Sequence, residues 1–276
     1  MSEKIIQIEN NNIKEEYSIG KIARQASGSV MYRQGKAVII AAVAVDSKPV
    51  EEDFLPLTVQ YIEKAYAAAK IPGGFIKRES KPSDFETLTS RIIDRSLRPL
   101  FPDGFNYPVT ISVIVVSSDP DVDLQVAAMH AASAALLLSE VSVGQSVAAV
   151  RIGQIDGEFV INPTAARLES SALDLFVTGS GKDLLMIEMR SIATEKIDNV
   201  EYGPMGLGME MSPMPIVLEH QESNALAEAE LLKAISLASE AIERASQACE
   251  GALMSLKSAK RIEVSPNELK LDNWLE

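Results

Sequence analysis

The chain has 276 residues, 46% of them hydrophobic, and a formal net charge of −13. That length fits one large domain, or one domain with a smaller companion, and the acidic balance argues against a general nucleic-acid coat or adhesion to anionic membranes. Cys249 is the only cysteine, so an intrachain disulfide is excluded and a reducing, cytoplasmic compartment fits. The N-terminal MSEKIIQIENNN has no apolar core of signal-peptide length. The longest apolar-leaning run, Val126 to Leu138, is too short to span a bilayer, so no membrane partner is expected.

In chain order, Ala37 to Val45 (AVIIAAVAV) reads as a strand buried on both faces. Phe54 to Tyr61 alternates, and Pro56 places a bulge or a sheet edge there. Ser83 to Arg98 is a helix. Ser83 and Glu86 form a capping box, Ile92, Ile93 and Leu97 give it an apolar side, and Pro99 stops it. Val109 to Val116 is a β-branched strand. An alanine-rich helix from about Val122 to Ser139, capped by Asp119 or Asp121, is apolar almost all round and must be buried. Weaker strands follow at Val147 to Ile152, Glu158 to Ile161, Leu173 to Thr178 and Leu184 to Glu188, the first two joined by a turn at Asp156-Gly157. After a Gly-, Pro- and Met-rich loop at Tyr202 to Pro215, Asn224 to Leu256 reads as one helix with an apolar stripe from Leu231 to Leu253, an i,i+4 pair of Glu240 with Arg244, and a break signal at Gly251. The tail ends on Trp274 and Leu275, as a piece of a longer chain would. These elements describe a mixed domain over residues 1–220 and the start of a helical module over 221–276.

Metal chemistry has little to draw on. There is one cysteine, and the two histidines, His130 and His220, are far apart in sequence. His130, in the alanine-rich helix, reads as a hydrogen-bonded core residue. Asp119, Asp121 and Asp123 sit at a helix start, where capping is a simpler account than Mg²⁺ binding. No Walker A, GxGxxG or nucleophile motif is present.

One window opposes the overall charge. Between Lys64 and Arg98 there are eight cations and four acids, a local +4 that leaves −17 for the remainder. It contains PGGFIKRESKP, Pro72 to Pro82, too flexible for a helix interior and too charged for a buried strand. Phe75 beside Lys77, Arg78 and Lys81 has the composition of single-stranded RNA binders, in which rings stack on bases and cations neutralise phosphates. On composition alone a solvated loop is the simpler account. Arg91, Asp94 and Arg98 share one helix face, where an ion network tying helix to sheet competes with phosphate binding.

The block FLPLTVQYIEKAYAAAKIPGGFIKRESKPSDFETLTSRIIDRSLRPLFPDGF, with IARQASGSVMYRQGKAVIIAAVAV before it and ISVIVVSSDPDVDLQVAAMHAASAALLLSEV after it, resembles the N-terminal region of the bacterial polynucleotide phosphorylase family over roughly residues 5–190. The resemblance implies an α+β, RNase PH-like domain of the ribosomal S5 domain 2-like kind, with mixed sheets packed against helices. It implies a longer protein that has a second such copy and forms a homotrimeric ring. That protein degrades single-stranded RNA from the 3′ end, with inorganic phosphate as attacking group and Mg²⁺ assisting, and it can join an RNA-degradation complex. By the same resemblance, catalytic and metal residues belong to the second copy, so none are expected here. SSDPDVD stands where that copy has a serine-rich phosphate turn. Phe75, Lys77, Arg78 and Lys81 are the implied RNA-binding residues, with Arg91, Arg95 and Arg98 as further candidates. The family's second ring and first arginine are replaced here by Ile76 and Lys77.

Overall fold

The computed structural model describes residues 3–11, 13–51, 54–73, 75, 77–79, 81–191, 227–257 and 262. The first sheet contains β1 (Lys4–Asn10), β2 (Ile13–Ile19), β3 (Gly28–Gln34), β4 (Ala37–Val45), β5 (Leu57–Glu63) and β6 (Val109–Ser117), in the order β1-β2-β3-β4-β6-β5. All its ladders are antiparallel except β5 with β6, which run parallel across the crossover helix α1 (Asp84–Leu97). The buried helix α2 (Leu124–Leu138) leads to the second, antiparallel sheet. That sheet contains β7 (Ala148–Ile155), β8 (Glu158–Ile161), β9 (Leu173–Ser180) and β10 (Asp183–Ser191), with the single turn α3 (Ala165–Leu168) between β8 and β9, and its order is β10-β9-β7-β8. The last described helix is α4 (Glu228–Leu253). The architecture is α+β.

α2 is the centre of the molecule. It packs on β3 and β4 on one side and on β7 on the other, and every residue from Val126 to Leu138 is buried. Its two polar interior residues serve a particular need. β7 pairs with β9 along one edge, but with β8 only from Ile152 onward. The backbone groups of Val147 and Ala149 on the other edge therefore need partners. Ser133 Oγ accepts from Val147 N at 2.7 Å, and His130 Nε2 donates to Ala149 O at 3.1 Å. His130 Nδ1 meets Glu15 Oε1 on β2 at 2.8 Å, so this core histidine links the two sheets through their common helix. Close packing here depends on Gly28. A Cβ on that residue would fall 2.3 Å from the Ala135 carbonyl oxygen and 2.8 Å from Ser139 Cα.

Several expectations are corrected. β1 and β2 are further strands whose alternation is interrupted by polar residues, since KIIQIEN and IKEEYSI place only some apolar side chains inward; β3 alternates, with Val30 and Tyr32 inward, but is short and mixed in composition. β4 is not buried equally on both faces, since Ala37, Ile39, Ala41 and Val43 are buried while Val38, Ile40 and Ala42 are half-covered. Pro56 precedes an edge strand, β5. Asp123, not Asp119 or Asp121, caps α2: its carboxylate accepts from Gln125 N and Val126 N at 2.9 and 3.2 Å. Asp119 instead accepts from Lys36 N at 2.8 Å, tying the β3–β4 turn to the segment before α2.

α4 also differs from its reading. It runs straight through Gly251, and Arg244 turns to Asn11, at 3.2 and 3.3 Å, rather than to Glu240. Ala234, Ala238, Ala241, Ile242 and Ala245 of α4 close a second hydrophobic cluster with Ala148, Val150 and Ile152 of β7 and Leu173, Leu175 and Val177 of β9. Cys249 and Leu253 join the main core. The helical stripe that composition set apart after residue 220 thus covers the open face of the second sheet. The Met-rich loop at 202–215, His220 and the apolar tail lie outside the described residues.

Candidate nucleic-acid interface

The basic window sits between β5 and α1, and one carboxylate fastens both of its ends. Glu86 completes the capping box: it accepts from Ser83 N at 2.7 Å while Ser83 Oγ accepts from Glu86 N at 3.1 Å. The same side chain accepts from Glu63 N at 2.9 Å and pairs with Lys64 Nζ at 3.0 Å. Burial pushes the Glu86 carboxyl up. Backbone hydrogen bonds from Ser83 and Glu63 and the nearby Lys64 ammonium more than reverse this, so its pKa is net lowered. Glu79 adds a tether, accepting from Ala65 N at 3.1 Å. The capping box was legible in the sequence; the tie back to β5 was not, because its partner lies 23 residues earlier.

Within this frame Glu79, Glu86 and Asp94 are engaged in structure, and most of the cations are left over. Lys64 is held by Glu86, and Arg98 pairs with Asp94 at 2.7 Å. Lys70, Lys77, Arg78, Lys81, Arg91 and Arg95 are exposed and make no ion pair with a described residue. Phe75 is 103% exposed, its ring free of any described neighbour ring. Lys77 adopts φ +55°, a left-handed conformation uncommon for a side chain of its size. Ile76 lies outside the described residues.

The helix candidates divide. Arg91 and Arg95 stand one turn apart on α1, exposed like Phe85 and Leu88 before them. Arg98 is committed elsewhere. Its Nη1 donates to Leu55 O at 3.0 Å and its Nη2 to Leu57 O at 3.4 Å, fastening the end of α1 to the start of β5. The helix-to-sheet network therefore forms around Asp94 and Arg98 and leaves Arg91 out.

Beside the loop is a cleft of about 750 Å³, bordered by Lys70, Phe85, Ser118, Asp119, Asp123 and Arg151. It lies at the N-terminus of α2. The backbone N–H groups that an anion would use there are already taken: Asp123 holds those of Gln125 and Val126, and Asp119 holds that of Asp121 at 3.2 Å. Hydrogen bonds from Lys36 and Asp121 N–H keep the Asp119 carboxyl below its ordinary range. Arg151 escaped notice in the sequence. Its signal was a lone cation inside an apolar strand, which requires a buried partner. Its guanidinium meets Asp123, Asp174 at 2.6 Å and Gln125, and lies 5.2 Å from the Phe176 ring centroid.

Comparison with known proteins agrees with this architecture. The profile of the 3′ exoribonuclease family, domain 1, matches residues 14–142, and that of domain 2 matches residues 145–200. A polyribonucleotide nucleotidyltransferase of Sulfurovum sp. (strain NBC37-1) is 64% identical over 89% of this chain and 34% of its own length. That of Campylobacter curvus (strain 525.92) is 51% identical over 96% of this chain and 36% of its own. The chain thus spans about a third of the length of these relatives. The crystal structure of rice (Oryza sativa) Rrp46 superposes with a TM-score of 0.52 over 64% of this chain and 80% of that one; at 16% identity the likeness is one of fold. The two profiles together match more than half of the residues, in the order of the two sheets they describe, and the chain belongs to the 3′ exoribonuclease family.

Proposed function

We propose that this chain is the RNA-guiding N-terminal part of a polyribonucleotide nucleotidyltransferase. In this reading the whole protein shortens single-stranded RNA from its 3′ end by phosphorolysis, with inorganic phosphate attacking and nucleoside diphosphates leaving, in the cytoplasm and as a homotrimeric ring. The observation that carries the reading is the β5–α1 loop, whose base is fastened by Glu86 while its fully exposed Phe75 and its exposed Lys77, Arg78 and Lys81, which form no ion pair with a described residue, are open to solvent. Phe75 stacks on a base and the cations hold the flanking phosphates, a sequence-tolerant grip suited to a strand that must slide. Arg91 and Arg95 extend the cationic track; Arg98 positions α1. No helix among the described residues is long and apolar enough to cross a membrane.

This lobe holds RNA without cleaving it. The helix terminus that could receive phosphate is closed by Asp123 and flanked by Asp119, so a phosphate there meets carboxylates instead of free N–H donors. Mg²⁺ supplies charge neutralisation to the reaction elsewhere in the longer protein.

The test is the double change Phe75→Ala with Arg78→Ala in the full-length protein, assayed on RNAs of about 30 and about 4 nucleotides, lengths well beyond and at the lower limit of the roughly 4–16 nucleotides that single-strand sites cover. Degradation of the long RNA falls at least tenfold more than that of the short one, because only the long strand reaches both the loop and the reaction centre. Equal loss on both lengths overturns the guiding role.

A further inference from the structure

The Mg²⁺ requirement implied by the family can be tested against a place among the described residues where oxygen donors converge. Asp123 Oδ2, Asp174 Oδ1 and Gln125 Oε1, from the start of α2 and from β9, all point at a single group. Two carboxylates and an amide oxygen are the hard donors a divalent cation takes, with water completing the shell from the adjoining cleft. A resident ion does not fit, because the group they address is the Arg151 guanidinium. Nε meets Asp123, Nη1 meets Asp174 and Nη2 meets Gln125, so all three nitrogens are engaged. The face of the group lies over Phe176. Arg151 itself is held at the backbone, its N donating to Asn162 Oδ1 at 2.8 Å and its O accepting from Asn162 N at 2.7 Å.

We propose that the Arg151 guanidinium is a built-in cation filling what is otherwise a divalent-metal site of Asp123, Asp174 and Gln125, so that this lobe is closed to metal ions and removal of the guanidinium opens it. The charge balance supports the assignment. Two carboxylates facing one guanidinium leave one negative charge uncompensated, which a divalent ion cancels. The geometry supports it as well. Asp123 keeps Oδ1 on the α2 N–H groups and presents only Oδ2 to Arg151, so capping continues when the occupant changes. A permanently tethered cation also makes the junction of α2 with the second sheet independent of the Mg²⁺ concentration around it.

The experiment titrates Mn²⁺ onto the full chain and reads free ion by electron paramagnetic resonance. Arg151→Met keeps an unbranched stem over Phe176 and removes the charge. It binds one Mn²⁺ per chain more than the unaltered protein, and the added ion disappears in Arg151→Met with Asp174→Asn. Asp174→Asn alone leaves the number bound unchanged, because the site is already filled. An unchanged count in Arg151→Met overturns the proposal, as does a loss of Mn²⁺ from Asp174→Asn alone. If Arg151→Met does not fold in the absence of metal, recovery with Mn²⁺ supports the proposal and failure to recover with the ion present overturns it.

Discussion

Glu15 and His130 show what a single buried pair contributes. Burial pushes the Glu15 carboxyl up, but the His130 charge and hydrogen bonds from His130, Tyr17 and Tyr32 outweigh it, and its pKa ends below the ordinary 4.5. Burial pushes His130 down, and Glu15 more than reverses this, so it ends above the ordinary 6.5. The histidine's contribution is complete below 6.5 and is lost as pH rises through its raised value. The carboxylate's is complete above 4.5 and is lost as pH falls through its depressed value. Glu15→Gln therefore destabilises most between pH 4.5 and 6.5, by about 3 kcal/mol or more, and the gap in urea midpoint narrows on either side. A gap constant with pH overturns the charged pairing. The sequence marked His130 as a hydrogen-bonded core residue, but its partner is 115 residues away on a strand that composition did not reveal. Cys249 nearby is inert, its thiol pushed up to about 12 by burial.

Among the elements, α1 and its C-cap carry two jobs over their last two turns. Arg98→Ala removes two donors to β5 carbonyls and the pair with Asp94. It lowers stability by about 1–2 kcal/mol, read in the urea midpoint, and leaves RNA affinity at a given salt nearly unchanged. Arg91→Ala and Arg95→Ala do the reverse. Each leaves the midpoint in place and lowers the slope of log affinity against log salt by about one. An affinity loss in Arg98→Ala matching that of Arg91→Ala would place Arg98 on the RNA after all. Helix spacing put Arg91 and Arg98 on one face with Asp94 and could not say which of the two faces RNA. What separated them is the run of Leu55 to Leu57 beside the end of α1, a tertiary contact with no trace in the spacing. α1, β6 and α2 were legible because α1 is capped and one-sided, β6 is long and β-branched, and α2 is long and alanine-rich. β2 was not, since Glu15 and Ser18 point into the core where an apolar residue was expected.

For the whole molecule, the two sheets are joined through α2 and α4. The shift after residue 200 marks a change in sequence character, yet α4 covers β7 and β9 and reaches β1. Ile242→Ala removes the largest α4 side chain fully buried in the second cluster and costs about 2–5 kcal/mol, and its unfolding stays a single transition by fluorescence and circular dichroism alike. Two separated transitions would mean that α4 and its sheet form an independent unit. Asn11, at the tip of the β1–β2 hairpin, donates from Nδ2 to the Ala241 carbonyl of α4, 230 residues later. The first described hairpin is thus fastened by the last described helix. At about 5–20 residues per second of synthesis, the nascent hairpin waits roughly 10–50 s for that partner. Late in this interval, from the completion of β9 until α4 emerges, the growing chain carries the apolar face of the second sheet uncovered.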